Sequence, residues 1–266
     1  MPQNVELEHN SAVPEHVHAI TLVRHGRTAY NAQHRLQGQI DIPLDEVGQW
    51  QVRQTADALR ELYVDRRPDI PNRLVICSDL GRAAATAHAF ADPLGLEVHP
   101  DIRVRERSFG EWEGMTREEI LEQYADDYHS WRAHTGGETK HGVESRRHTG
   151  QRGSQAIRSI IAEHADDPTA TTLLAVGHGS WIVATVAVLL DMDPDDLNNL
   201  GAMRNAFWTS MSVNTGGSNG PADPDTWQWK LDAFNQGPAI AALTDWENGP
   251  KELRGPNMPL WKPIVQ

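Results

Sequence analysis

Cysteine is almost missing from this sequence: Cys77 stands alone among 266 residues. A single thiol excludes an internal disulfide and a zinc cage built from cysteines, and it makes a reducing cytoplasm the expected setting. Cations are scarce as well. Lys and Arg number 24 against 37 Asp and Glu, a formal net charge of −13. That balance argues against nonspecific binding of nucleic acid or of a membrane surface. An anionic substrate stays open, because a few arginines and histidines focused in one cleft reverse the local sign. Long apolar runs are absent too. The longest, Trp181 to Leu190, falls short of the roughly 18 residues that a membrane span needs. Residues 1–18 lack the basic and apolar regions of a secretory signal, so they read as an N-terminal tail.

What is present has an alternating order. Three short apolar runs, Ala19 to Val23, Leu74 to Cys77 and Leu173 to Val176, have the make-up of buried strands. Helical spacing covers Asp45 to Tyr63, with Asp45 as N-cap, then Leu80 to Ala91 and Arg152 to Glu163. The run from Trp181 to Leu190 is apolar all round and predicts a buried helix. Strands alternating with helices predict an α/β fold, a mainly parallel sheet with helices on both faces. The polar stretch of about 110–153 predicts a small helical cap. Ala206 to Thr209 and Trp227 to Leu231 predict an edge hairpin. The expected organisation is one domain over 19–235, with a Pro- and Gly-containing tail, 236–266, running over the surface.

Chemistry gathers after the three strands. Arg24-His25-Gly26-Arg27-Thr28 follows the first, Ser78-Asp79-Leu80-Gly81-Arg82 the second, and Gly177-His178-Gly179-Ser180 the third. Ligands of open parallel sheets bind outside the carboxyl ends of the strands. Two arginines, two histidines and two helix N-termini are therefore expected to meet at one crevice, a set of groups that favours phosphate. Taken singly, each is readable as an ordinary loop residue. A nucleophile elbow at Ser180 fails, because the residue two before it is His178 rather than glycine. His16-Val-His18 has no nearby carboxylate pair, and no metal is expected there.

The ordered motifs carry a resemblance. Leu22-Val-Arg-His-Gly-Arg-Thr28 with Asn31, Leu36-Gln-Gly38 and Asp41-Ile-Pro-Leu44 are followed by Ser78 with Arg82 and Thr86. Then come Arg105-Glu106, Phe109 to Gly114, Gly136-Gly-Glu138 and Val176-Gly-His-Gly179. Together they resemble the histidine phosphatase, or phosphoglycerate mutase-like, superfamily over about Ala19 to Leu190. The resemblance implies a phosphohistidine intermediate on His25 and a small-molecule phosphoester substrate, with no metal and no cofactor. It implies that Arg24, Arg82 and His178 surround the phosphoryl oxygens, where transition-state charge spreads. Asn31 and Gln37 match positions that add neutral donors, and Gly38 and Gly179 complete the expected substrate pocket. Glu106 matches the general acid, which protonates the leaving alcohol and then activates water. Glu111 and Glu113 stand as rival acids should the loop register differ.

Only about twenty residues separate Gly114 from Gly136, and the insertion expected of a cofactor-dependent mutase is not recognisable. Excluding water is what separates transfer from hydrolysis, so the expectation is a phosphatase. A phosphoglycerate mutase and a non-catalytic phosphate-binding regulator are the two other readings. Gly201 to Thr209 and Trp229 to Asn235 resemble blocks of actinobacterial acid phosphatases of this superfamily, the glucosyl-3-phosphoglycerate phosphatases nearest among them. That implies a phosphorylated glyceric acid or sugar as substrate. The stretch KHGVESRRHTGQR, 140–152, has two readings: a solvated helix start, or arginines (Arg146, Arg147) that draw a second negative group toward the cleft. Nine tryptophans leave room for a homodimer.

Overall fold

A computed structural model describes residues 19–164, 171–196, 200–214 and 223–264; the tail at 1–18, with His16 and His18, lies outside them. The strands are β1 (Ala19–Arg24), β2 (Asn72–Cys77), β3 (Val98–Pro100), β4 (Thr171–Gly177), β5 (Trp208–Asn214) and β6 (Gln228–Gln236). They form one sheet in the order β3-β2-β4-β1-β5-β6. The three apolar runs are its centre, and every residue of β4 is buried, as its lack of alternation requires. β1, β2, β3 and β4 run parallel, while β5 and β6 close one edge as the expected antiparallel hairpin. β3 is an addition to the expected strands. It has three residues and ends on a proline, too little pattern to stand out in the sequence.

The helices are α1 (Ala29–Ala32), α2 (Glu46–Arg60), α3 (Gly81–Ala91), α4 (Arg117–Arg132), α5 (Arg146–Glu163) and α6 (Gly179–Leu189). Asp45 caps α2, accepting the Gly48 N–H at 2.8 Å. One face of the sheet is covered by α5 and α6 through Ile157, Ile161, Trp181 and Ile182, the other by α2 and α3 through Leu59, Ala83, Ala87 and Phe90. α5 starts six residues before the expected Arg152, because Ser145 caps it at the His148 N–H. Gly150 and Gly153 hid this start, since glycine is a poor helix former. Both sit where α5 presses on α6: a Cβ would lie 2.5 Å from the Ala184 carbonyl oxygen or 2.0 Å from Thr185 Oγ1.

The cap is helical, as expected. α4 and the turn Gly137–His141 enclose a small core of Phe109, Trp112, Ile120, Tyr128 and Val143. The segment after 236 departs from the expected surface tail. Trp246 is 1% exposed, packs against Trp50 and Phe207, and donates its indole N–H to the Asn205 carbonyl at 3.0 Å. Its aromatic area outweighed the prolines and glycines around it. Among the described residues, no helix is long and apolar enough to cross a membrane.

Candidate active site

Strand register decides where the reactive side chains go. Arg24 lies opposite Gly177, and Cys77 opposite Val176, so β1, β2 and β4 end level with one another. The ladder runs one residue further, with the His25 N–H on the Gly177 carbonyl and the Ser78 N–H on the Val176 carbonyl. The three loops that follow are thereby held side by side. Arg24, His25, Asn31, Gln37, Gly38, Arg82, Glu106 and Gly179 line one cavity of about 510 Å³. His178 sits just behind its wall, fully buried, with its ring centroid 5.1 Å from that of His25.

His25 donates its Nδ1–H to the Gly26 carbonyl at 2.7 Å. That bond fixes the tautomer, and the Nε2 lone pair is left on the other side of the ring. Arg82 Nε approaches this Nε2 at 3.3 Å. Burial, then the positive charges of Arg82 and Arg24, hold the His25 pKa well below the ordinary imidazole range, so the ring is neutral. Burial and the same cations, with His25 between them in weight, do the same to His178. Arg82 is pinned by the Ile40 carbonyl at 2.8 Å and the Gly38 carbonyl at 2.7 Å. Gly38 adopts a φ of +53°, and a Cβ there would meet Glu113 Oε1 at 2.0 Å, so only glycine presents this carbonyl. Arg24 Nε and both ring nitrogens of His178 are buried without a protein partner among the described residues. Buried polar groups in that condition are costly unless a ligand completes them, and cationic or imidazole donors suit an oxyanion.

The two helix N-termini serve differently from expectation. The Ser180 and Trp181 N–H groups at the start of α6 donate to the Glu106 carboxylate at 3.2 and 2.9 Å. The Gly81 N–H of α3 goes to Asp41 at 2.9 Å. Each helix end thus binds a carboxylate of the protein itself, for the reason it was expected to bind phosphate: free N–H groups favour any anion. Glu106 is held further by the Arg107 N–H at 2.8 Å, and its backbone carbonyl accepts from Arg152 at 2.9 Å. The rival acids are placed elsewhere. Glu113 accepts the Gln39 and Phe109 N–H groups, and Glu111 pairs with His141 at 3.0 Å.

The basic stretch divides. Arg146 lines the cavity with Arg132 and His134, whereas Arg147 is an exposed partner of Asp193 and Asp195. Asn205 escaped the sequence reading as a site residue. Its amide donates to the carbonyl of His25 at 3.1 Å and to Asn31 Oδ1 at 3.0 Å, so it joins two pocket loops. An isolated Asn before an apolar run gave no warning of this.

An open, mainly parallel sheet with arginines and neutral histidines at its carboxyl edge defines a phosphoryl-transfer class of α/β protein. Residues 20–220 match the family described as histidine phosphatase superfamily (branch 1). The chain is 33% identical over 228 residues to the glucosyl-3-phosphoglycerate phosphatase of Mycolicibacterium vanbaalenii, covering 85% of this chain and 97% of the relative. A solved structure of mycobacterial glucosyl-3-phosphoglycerate phosphatase in complex with VO3 superposes with a TM-score of 0.68. It is 30% identical, covering 83% of this chain and all of that one. A probable phosphoglycerate mutase of Enterobacter is 31% identical over 173 residues, 65% of this chain and 75% of the relative. The chain belongs to the histidine phosphatase superfamily. It is a phosphoric monoester hydrolase of phosphoglycerate mutase-like fold.

Proposed function

We propose that the chain hydrolyses a small phosphorylated metabolite of the sugar or glycerate kind in two displacements on His25. The observation that carries the reading is the His25 tautomer, with Nδ1–H tied to Gly26 and an unprotonated Nε2 beside Arg82. In the first step the Nε2 lone pair forms a bond to phosphorus, and the bond from phosphorus to the ester oxygen breaks. Glu106 delivers a proton to the departing alkoxide. In the second, Glu106 takes a proton from water, the resulting hydroxide attacks phosphorus, and the N–P pair returns to His25 as phosphate leaves. Arg24, Arg82 and His178, with Asn31 and Gln37, stabilise the charge on the phosphoryl oxygens.

Splitting one hard displacement into two is the benefit of an imidazole nucleophile. The finer class proposed is that of the acid phosphatases, a reading supported by the buried His25, whose pKa burial and the neighbouring arginines lower. Arg132 and Arg146 line the same cavity as His25 and extend its positive charge beyond the phosphoryl site. The lone cysteine, whose thiol burial pushes up to about 11, fits a cytoplasmic enzyme with no redox chemistry of its own.

The test is phosphate release from an aryl phosphate, 3-phosphoglycerate, a glucosyl-phosphoglycerate, sugar phosphates and nucleotides, with His25→Ala alongside. Isomerisation of 3-phosphoglycerate is followed in the same tubes, with and without 2,3-bisphosphoglycerate. Release that vanishes with His25 supports the reading, and the best substrate names the class. Isomerisation without release would instead make this chain a mutase, the activity that the name of its Enterobacter relative describes.

A further inference from the structure

Beside the reactive pocket lies a second compartment of about 830 Å³, and the two share Arg24, Asn31, Arg35, Leu36 and Arg132 on their walls. Its charge runs against the rest of the chain. In a protein of net charge −13, it is lined by five arginines and two histidines against one carboxylate, Glu247. Glu247 is taken by Arg204 at 2.8 Å. Arg27 and Arg35 are neutralised by Asp45 and Glu119 at 2.9 and 2.8 Å. Arg117 and Arg132 are not: among the described residues neither has a carboxylate within ion-pair distance, and both are exposed. Arg117 lies over the ring of Tyr128, 5.9 Å from its centroid, a contact that steadies the guanidinium without neutralising its charge.

The outer wall comes from the far end of the chain. Trp261 exchanges backbone hydrogen bonds with the Asn248 side chain at 2.8 and 3.1 Å, and its ring stands 5.7 Å from that of His34. His34 donates its ring N–H to the Lys262 carbonyl at 2.6 Å. The C-terminal segment is therefore fastened on two sides of the opening.

We propose that this compartment receives a second anionic group of the substrate, a carboxylate or a phosphate, at Arg117 and Arg132. The proposal rests on the phosphatase reading for the first group, which anchors at His25. It adds that the substrate is long enough to reach past the leaving-group end of the reactive pocket into the compartment walled by Trp261. Unpaired guanidinium groups focused in one concavity attract anions more strongly than the same groups scattered over an open surface.

The experiment uses ω-carboxyalkyl phosphates of increasing length, each paired with the uncharged alkyl phosphate of the same length. Affinity is measured by calorimetry on the full chain carrying His25→Ala, and hydrolysis on the chain with His25 intact. Past a threshold length, the carboxylate is expected to improve affinity about fivefold, the upper end for a partly exposed ion pair. Arg117→Gln should erase that gain for the long members and leave the short members' preference in place. Trp261→Ala should reduce it by opening the wall. No gain at any length, or a gain that survives both substitutions, overturns the compartment's role. Hydrolysis failing while the length-dependent affinity persists would overturn the phosphatase reading alone. Ordinary hydrolysis with no length dependence would overturn this inference alone. In a final arm, ω-phosphoalkyl phosphates are compared with the carboxylates. A larger gain identifies a second phosphate as the group received, and an equal or smaller one a carboxylate.

Discussion

Glu106 accepts the backbone N–H of Trp181 at 2.9 Å, so the carboxylate is fastened to the first turn of α6, the helix that begins directly after His178. The Glu106 carboxylate and the buried His178 ring, 5.1 Å from that of His25, are thereby positioned by one element. Glu106→Gln keeps the shape but removes the transferable proton, and it turns one amide end toward N–H donors. Turnover of alkyl phosphates should fall about 10²- to 10⁴-fold, the usual range for losing a general acid. Release of nitrophenolate needs no proton and should fall far less. Steady-state rates on the two substrate types check this, and equal losses would remove Glu106 from the acid role.

The neutral state of His25 sets a pH expectation. Burial and the flanking Arg82 and Arg24 lower its pKa well below 6.5, and only the neutral ring attacks phosphorus. The acidic limb of kcat/KM should therefore lie below the ordinary imidazole range, with activity kept through pH 6.5. A profile on an aryl phosphate is the measurement. A break at about 6.5, the value of a free imidazole, would mean that the attacking group is not this buried ring.

Stability should follow the same two histidines. Both have depressed pKa values when folded, so below pH 6.5 the unfolded chain binds protons that the folded chain does not. Their contribution is complete above 6.5 and declines as pH falls toward the folded values. The slope is about 1.4 kcal/mol per pH unit for each ring. Urea midpoints across this range should drop with pH in the wild type, and His178→Asn should flatten the slope. An unchanged slope would show that His178 titrates alike in both states.

Legibility in the sequence tracked how local the cause was. β1, β2 and β4 were visible because each is a short buried run, and the loops after them because parallel strands end together. His25, Arg82 and Glu106 could be named from motifs, and all three line one cavity. What stayed hidden depends on pairs distant in the chain. Nothing near Asn205 shows that it braces His25 and Asn31, and nothing near Ser180 shows that its N–H belongs to Glu106. Arg146 and Arg147 are neighbours of one type, yet one lines the cavity and the other pairs on the surface. Helix phase decides between them, and nothing beside Ser145 in the sequence marks it as the residue that caps this helix at the His148 N–H.

Trp246 ties the C-terminal segment to the site through that same asparagine. Its indole N–H holds the Asn205 carbonyl at 3.0 Å, and its own carbonyl accepts from Gln51 at 2.8 Å. Gln51 in turn accepts the Arg27 N–H at 2.9 Å, so the contact reaches the loop that carries His25. Trp246→Ala removes a fully buried ring and should cost about 3–5 kcal/mol of stability. It also frees Asn205 to rotate away from His25 and Asn31, so kcat should fall even where the variant is fully folded. Trp246→Phe separates the two effects, because it keeps most of the apolar area while removing the indole N–H. A Phe variant that melts near the wild-type temperature and turns over several-fold more slowly would show the hydrogen bond positioning the site. Wild-type turnover in that variant would reduce Trp246 to packing alone.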